Sequence, residues 1–259
     1  MKRPPSLFVS HGSPMFAVTP GLLGPNLRAL GDSLQNVRAI LVVSPHWQTR
    51  GFKVTAAEQL ETIHDFGGFP AELYQLQYSP KGSPSLAADV VELLRSQGFD
   101  ASLDADRGID HGAWVPMMHM LPSLELPVLQ LSMPMTLTAP DALALGQALA
   151  SLRDQGVMIV GSGSLTHNLY EFRQHISDPE YAQDFAEWAN GAVMSRDLDS
   201  LLHYRTKSKY GARAHPTEEH YLPLLVALGA SSSDDVARLV EGGMTDGILS
   251  MDSFVWEAA

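Results

Sequence analysis

Ala39-Ile-Leu-Val-Val-Ser-Pro-His-Trp47 is the stretch on which the fold turns. Residues 39–44 form an unbroken apolar run of strand length, the pattern of a strand covered on both faces rather than one. Pro45-His46-Trp47 follow it directly, so the strand delivers a histidine at its carboxyl end. Outward from there the same rhythm repeats. Residues 7–10 read as a first strand ending at His11-Gly12-Ser13-Pro14, residues 52–57 as a third, and 127–132 as another. Residues 157–160 form one more, running into Gly161-Ser-Gly-Ser164. Between them Leu86, Val90, Val91, Leu93 and Leu94 recur at helical spacing over 84–97, with Gly98 as the stop. Residues 141–154 read as a second helix, with Gly156 after it, and 179–202 and 218–228 as two more. Segments 236–239 and 253–256 read as closing strands. Strand-then-helix alternation predicts an α/β fold: a single domain, 1–259, with a mixed central β-sheet and helices on both faces. The Pro/Gly-rich stretches 64–84 and 205–217 are expected as long loops within that domain, a kind of segment that tends to carry function.

Composition narrows the chemistry. The 259 residues are 45% hydrophobic, enough for a core that needs no disulfide or metal staple. Lys and Arg number 17 against 29 Asp and Glu, a net charge of −12, so neither nucleic acid nor an anionic membrane surface is an expected partner. Cysteine is absent, which removes thiolate ligands and a cysteine nucleophile together. No run reaches the roughly 18 apolar residues of a spanning helix. After Lys2-Arg3 the only apolar run is 7–9, too short for a secretory signal, and the expected location is the cytoplasm.

Ten histidines in a chain with no cysteine is the unusual number, and their positions matter more. His11, His46 and His167 each follow a predicted strand, and ligands in open α/β sheets bind outside the carboxyl ends of the strands. His111, in Asp110-His111-Gly112, precedes a short helical run at 113–121, and His220 is expected on the late helix. A lone histidine at a strand end is usually a surface or hydrogen-bonded residue; several at one sheet edge point to a metal site. Imidazole and carboxylate donors suit Zn, Fe, Mn, Cu or Ni. Other templates fail. Glu219-His220 lacks the second histidine of H-E-x-x-H, Gly161-Ser-Gly-Ser lacks the lysine of a phosphate loop, and no G-x-S-x-G occurs.

Six blocks in order carry a resemblance: His11-Gly-Ser-Pro14, Ser44-Pro-His-Trp47, His64-Asp-Phe-Gly-Gly-Phe-Pro70, Asp110-His-Gly-Ala-Trp114, Gly161-Ser-Gly-Ser-Leu-Thr-His-Asn-Leu169 and Pro216-Thr-Glu-Glu-His-Tyr-Leu-Pro-Leu224. Together they resemble the class III extradiol ring-cleavage dioxygenases, in the DOPA 4,5-dioxygenase branch. The resemblance implies one non-haem metal, Fe(II) for activity with Zn(II) as an alternative occupant. It matches His11, His46 and His220 to the metal ligands, with Glu219 as the competing third ligand because more distant relatives place a glutamate there. It matches His167 to the acid/base histidine, which some descriptions count as a further ligand, and His111 to a second active-site histidine facing substrate. Ser13, His64 and Asp65 are expected on the substrate side; the Gly- and Phe-rich loop that carries the last two reads equally as a pocket lid or as a packed Ω-like loop. The implied substrates are O₂ and a small catechol such as DOPA, opened to a semialdehyde; the oligomeric state is not implied.

Elementary chemistry gives the pattern a reason. Dioxygen is a triplet and a catechol a singlet, so a metal must mediate, and its protein ligands must leave positions vacant for both. Imidazole ligands are neutral and leave iron(II) its double charge, which favours a deprotonated catechol. A histidine beside it can take that proton and later return it near neutral pH. Two other functions use the same residues: a zinc hydrolase, and a non-catalytic binding protein of the same fold. Trp47 and Trp114, and Met117, Met118 and Met120, read as core; His119, His175 and His203 as surface or structural; residues 232–235 as a solvated turn and helix start. Arg50 is a candidate for a substrate carboxylate only because it follows His46 closely.

Overall fold

Four apolar strands lie parallel at the centre of the computed structural model, which describes residues 2–174 and 179–259. The strands are β1 (Ser6–Ser10), β2 (Ala39–Thr49), β3 (Phe52–Thr55), β4 (Ala101–Asp104), β5 (Val128–Pro134), β6 (Val157–Gly163), β7 (Asp235–Val240), β8 (Met244–Thr245), β9 (Leu249–Ser250) and β10 (Ser253–Ala258). Eight of them form one sheet in the order β4-β3-β5-β2-β6-β1-β10-β7, while β8 and β9 pair separately. β5, β2, β6 and β1 run parallel, and β10 and β7 close one side antiparallel. This is the mixed α/β sheet that the strand–helix alternation predicts.

The apolar runs are continuous because both sheet faces are buried. Phe8, Leu41, Val43, Leu129 and Ile159 belong to one core cluster, and Leu7, Val9, Ile40, Val42, Val128 and Val160 to the other. Successive residues point to opposite faces, so a strand covered on both sides needs apolar residues at every position. On the first face lie the helices Ala139–Leu149 and Leu222–Ala230, the latter buried along its full length. On the second lie Leu23–Ser33 and His111–Met120.

Several elements differ from expectation, each for a local reason. β2 does not stop at Pro45 but continues to Thr49, because its pairing with β5 shifts register between Val43 and Gln48. A proline cannot donate to a ladder, and an interrupted ladder does not ask it to. The late helix begins at Leu222, with Pro223 in its first turn, so His220 sits in the turn before it rather than on it. The long predicted helix over 179–202 splits into Pro179–Met194 and Leu198–Leu202, broken at Arg196 (φ 52°), and the Asp197 side chain caps the second piece. The loops at 64–84 and 205–217 hold short helical turns, Ala71–Gln75 and Gly211–Ala214 among them. Residues 232–235 lead into β7 instead of a helix, and Asp235 pairs with the buried Arg153 at 2.6 Å. β4, only four residues long, has too weak an apolar pattern to be predicted from the sequence. His175 lies outside the described residues. Among those described, no helix is long and apolar enough to cross a membrane.

Candidate metal centre

The carboxyl ends of the parallel strands deliver the histidines to one place. His11 follows β1 through a backbone bond from its N–H to the Gly163 carbonyl (2.9 Å), tying it to the end of β6. His46 stands in the irregular stretch of β2, where a bulge re-aims side chains that a regular strand would alternate. His111 opens the helix His111–Met120. The segment carrying His167 is laced to the one carrying His220 by Ser164 N–H to His220 O (2.9 Å) and His167 N–H to Ala214 O (2.8 Å). His215 adds an Nε2–H bond to Leu165 O (2.9 Å).

Five rings converge. His46 Nε2 lies 3.1 Å from His11 Nε2 and 3.3 Å from His220 Nε2. The His46 and His111 ring centroids are 4.0 Å apart, and His167 stacks on His220 at 3.5 Å and 13°. Two separate trios each present donor atoms within 4.8 Å of one another: His11, His46 and His111, and His167, Glu219 and His220; the His46–His220 contact joins them. His11, His111 and His220 are almost fully buried, and the His46 side chain is 21% exposed, so the cluster opens to solvent on the His46 side.

The partners of the far ring nitrogens decide which protons these imidazoles carry. Ser162 Oγ gives its hydrogen to the Gly112 carbonyl, so it can only accept from His11 Nδ1 at 2.9 Å. His46 Nδ1 faces the Asp65 carboxylate at 3.4 Å. His220 Nδ1 faces Glu219 Oε1 at 3.1 Å, an oxygen that also accepts from Thr217 Oγ1 at 2.9 Å. Serine oxygen and carboxylates in these settings are acceptors, so each Nδ1 carries the hydrogen and each Nε2 a lone pair. The His46 lone pair then faces those of His11 and His220 at 3.1 and 3.3 Å, with no hydrogen between them to bond. A cation placed among them accepts all three. That is the donor set a divalent metal fits, with the far nitrogens held as metal-binding histidines usually are.

Electrostatics agree. Burial, then neighbouring histidines, hold His11 and His220 well below the usual imidazole range. His46 is lowered to about 3 by burial and then His111, partly opposed by Asp65. His167 is lowered to about 4 by burial and then by His111. Buried imidazoles thus stay neutral at pH 7, the form that binds metal and accepts protons.

The remaining predicted residues fall in different places. Asp65 turns inward: Oδ1 accepts the His111 backbone N–H (2.8 Å) and Oδ2 accepts His111 Nδ1–H (2.9 Å). His64 Nε2 donates to the Leu76 carbonyl (3.0 Å) and packs among Phe66, Tyr74 and Trp114, holding its own loop together. Ser13 is half-buried two residues from His11, and its hydroxyl makes no capping bond to the short helix Pro14–Ala17. Arg50 is exposed just beyond β2. Trp114 is core, its Nε1–H bonded to Ile63 O (3.0 Å), and His119 bonds Phe16 O (2.9 Å). The sequence reading missed several neighbours. Ser162, near the end of β6, fixes the His11 tautomer; its sequence signal is its place in the Gly161-Ser-Gly-Ser block, which assigns it no role. Phe66 meets His111 edge-on at 5.7 Å. Asp110 is fully buried and accepts from Ser44 Oγ (2.9 Å) and Gln130 Nε2, with Arg107 Nη2 at 3.5 Å. Arg107 also stands 5.2 Å over the Trp47 ring, and its buried Nε has no partner among the described residues.

Comparison with known proteins agrees with the geometry. Residues 8–248 match the family described as the catalytic LigB subunit of aromatic ring-opening dioxygenase. A 4,5-DOPA dioxygenase extradiol of Beta vulgaris is 40% identical over 257 residues, covering 96% of this chain and 95% of that protein. One of Escherichia coli K12 is 40% identical over 258 residues, covering 96% and 93%. A crystal structure of an uncharacterized protein from Escherichia coli K12 superposes with a TM-score of 0.80 at 34% identity, over 98% of this chain and 99% of the other.

Proposed function

Because this chain belongs to the family of the catalytic LigB subunit of aromatic ring-opening dioxygenases, in its 4,5-DOPA extradiol branch, we propose specific roles for the five clustered histidines. The protein is an extradiol ring-cleavage dioxygenase. His11, His46 and His220 hold the metal, Fe(II) in the active form; Glu219 serves behind His220 rather than as the ligand, since its Oε1 already accepts from His220 Nδ1. The bound metal supplies electron transfer between catechol and dioxygen, which the spin mismatch otherwise forbids. Both oxygen atoms enter the product, so no external reductant is required.

The chain's own groups do the proton work. His167 stacks on His220, and its ring nitrogens take no protein hydrogen bond among the described residues, so they are free for substrate. Burial keeps it neutral, ready to take a catechol proton and to return it as the O–O bond breaks. His111, with its hydrogen committed to Asp65, turns Nε2 toward the cluster as an acceptor for the second hydroxyl. Phe66 beside His111 forms an aromatic wall, and Ser13 borders the opening near His11. Arg107 is a better partner than Arg50 for a substrate carboxylate: a half-buried guanidinium beside Trp47, with a donor unspent. A catechol that bears a carboxylate, as DOPA does, therefore suits the site.

The observation that carries this reading is that His46 Nε2 lies within hydrogen-bond distance of both His11 Nε2 and His220 Nε2, while the far nitrogen of each ring faces an oxygen acceptor. Anaerobic loading with Fe(II), then mixing with DOPA and O₂, should give one O₂ consumed per catechol and a yellow ring-opened product. Protein that binds iron but consumes no O₂ across a panel of catechols refutes it.

A further inference from the structure

We propose that Asp65 is a positioning residue that sets the protonation of two imidazoles at once, His46 on the metal side and His111 on the substrate side. The inference deepens the reading above and rests on it for the metal, though not for the tautomers. Asp65 has two oxygens and meets three nitrogens. Oδ1 takes the His111 backbone N–H at 2.8 Å; Oδ2 takes His111 Nδ1–H at 2.9 Å and faces His46 Nδ1 at 3.4 Å.

The backbone contact explains an oddity of the helix His111–Met120. Its N-cap residue, Asp110, makes no side-chain cap, because that carboxylate is already engaged by Ser44 and Gln130. Asp65 supplies the missing acceptor from a distant loop, placing a negative charge at a helix N-terminus where it is favoured. The same carboxylate thereby holds the helix start, the His111 ring and the His46 ring in one arrangement. Hydrogen on both Nδ1 atoms leaves both Nε2 atoms as lone pairs aimed into the cluster.

Asp65→Asn tests this sharply. With its Oδ1 on the His111 backbone N–H, the asparagine amide turns a donor toward two Nδ1–H donors. The conflict resolves when the imidazoles move their hydrogen to Nε2. His46 Nε2–H then donates to His11 Nε2, 3.1 Å away, so the ligands bond one another and the metal is excluded. In a catalytic triad the corresponding Asp→Asn change keeps the geometry but leaves the wrong tautomer. Loss of a carboxylate behind a metal-bound histidine typically costs about 10–100-fold in metal affinity or activity.

The experiment uses ¹⁵N-histidine-labelled protein free of metal, with long-range ¹H–¹⁵N correlation spectra, followed by zinc titration. Wild type should show His46 and His111 as Nδ1–H tautomers, and Asp65→Asn should show them as Nε2–H. The variant should bind zinc at least 10-fold more weakly, while its metal-free form still folds and melts only slightly lower, from loss of the charge at the helix start. A merely structural aspartate would lower that melting temperature too, but would leave both tautomers and the zinc affinity alone. Nε2–H tautomers on both rings in wild type overturn the proposal without any variant, as does zinc affinity within twofold in Asp65→Asn. Wild type that shows the expected tautomers but binds no metal instead overturns the functional reading and leaves the role of Asp65 standing.

Discussion

Gly112→Ala places a methyl group where the candidate site has no room. A Cβ built on Gly112 lies 2.4 Å from Ser44 Oγ, 2.9 Å from His46 Cδ2 and 3.3 Å from Asp110 Oδ1. Non-bonded heavy atoms settle near 3.5–4.0 Å, so the shortfall is about 1 Å at Ser44 and over half an ångström at His46. Ser44 Oγ cannot swing aside without giving up Asp110 at 2.9 Å, a carboxylate that is fully buried. The strain therefore goes into the His46 ring or the first turn of the helix His111–Met120. Overpacking of this kind costs ~1–3 kcal/mol, and at this chain length each kcal/mol lowers Tm by roughly 2–4 °C. Metal ligands tolerate about 0.2 Å, so a ring pushed half an ångström loses much of its contribution. The expected result is a chain that folds, melts a few degrees lower without metal, and binds zinc or Fe(II) at least 10-fold more weakly against a chromophoric chelator. Metal affinity within twofold of wild type, with an unchanged Tm, would refute the placement of His46 over Gly112.

Other outcomes follow from the same contacts. His167→Ala should keep full metal stoichiometry and the wild-type Tm while kcat falls by roughly 100-fold or more, the range of a lost acid/base group; loss of metal would make His167 a ligand. Arg107→Met should lower the kcat/KM ratio of a carboxylate-bearing catechol to an uncharged one by roughly tenfold or more, since hydrogen bonds to charged groups contribute about 1.5–3 kcal/mol; an unchanged ratio removes Arg107 from recognition. His215 gives a pH signature. Burial lowers it from 6.5 to about 3 in the folded chain, so the unfolded chain binds the proton first. Its contribution is complete above pH 6.5 and is lost as pH falls toward 3. That is about 2 kcal/mol between pH 7.5 and 5.0, at 1.36 kcal/mol per unit. His215→Gln keeps a donor for Leu165 O but does not titrate, so urea unfolding at the two pH values should differ by that much less; equal pH dependence in both proteins refutes it.

The parts of this molecule legible in its sequence are those set by short-range pattern. Unbroken apolar runs marked the strands with two buried faces, and histidines directly after them marked the sheet edge where a ligand would bind. What escaped depends on residues brought together only by folding. Asp65 was read as facing substrate because it lies in a glycine-rich loop; nothing local announces that the loop folds back onto His111, 46 residues on. The bulge in β2 was invisible because a proline ordinarily ends a strand, and only the partner strand determines whether the ladder can skip it. His220 was expected on a helix because the apolar pattern extends back to it, while Pro223 fixes where the helix begins. Arg107 falls in none of the six blocks, and Phe66 falls in one without a role assigned to it. Their position against Trp47 and His111 is a property of the tertiary structure.

Metal content of anaerobically purified, Fe(II)-loaded protein, read beside His46→Ala, tests the central claim most directly. One tightly held ion per chain in wild type and almost none in the variant is the result expected of three imidazoles sharing one cation. Wild type without stoichiometric metal, or a His46→Ala chain that retains it in full, would contradict the account.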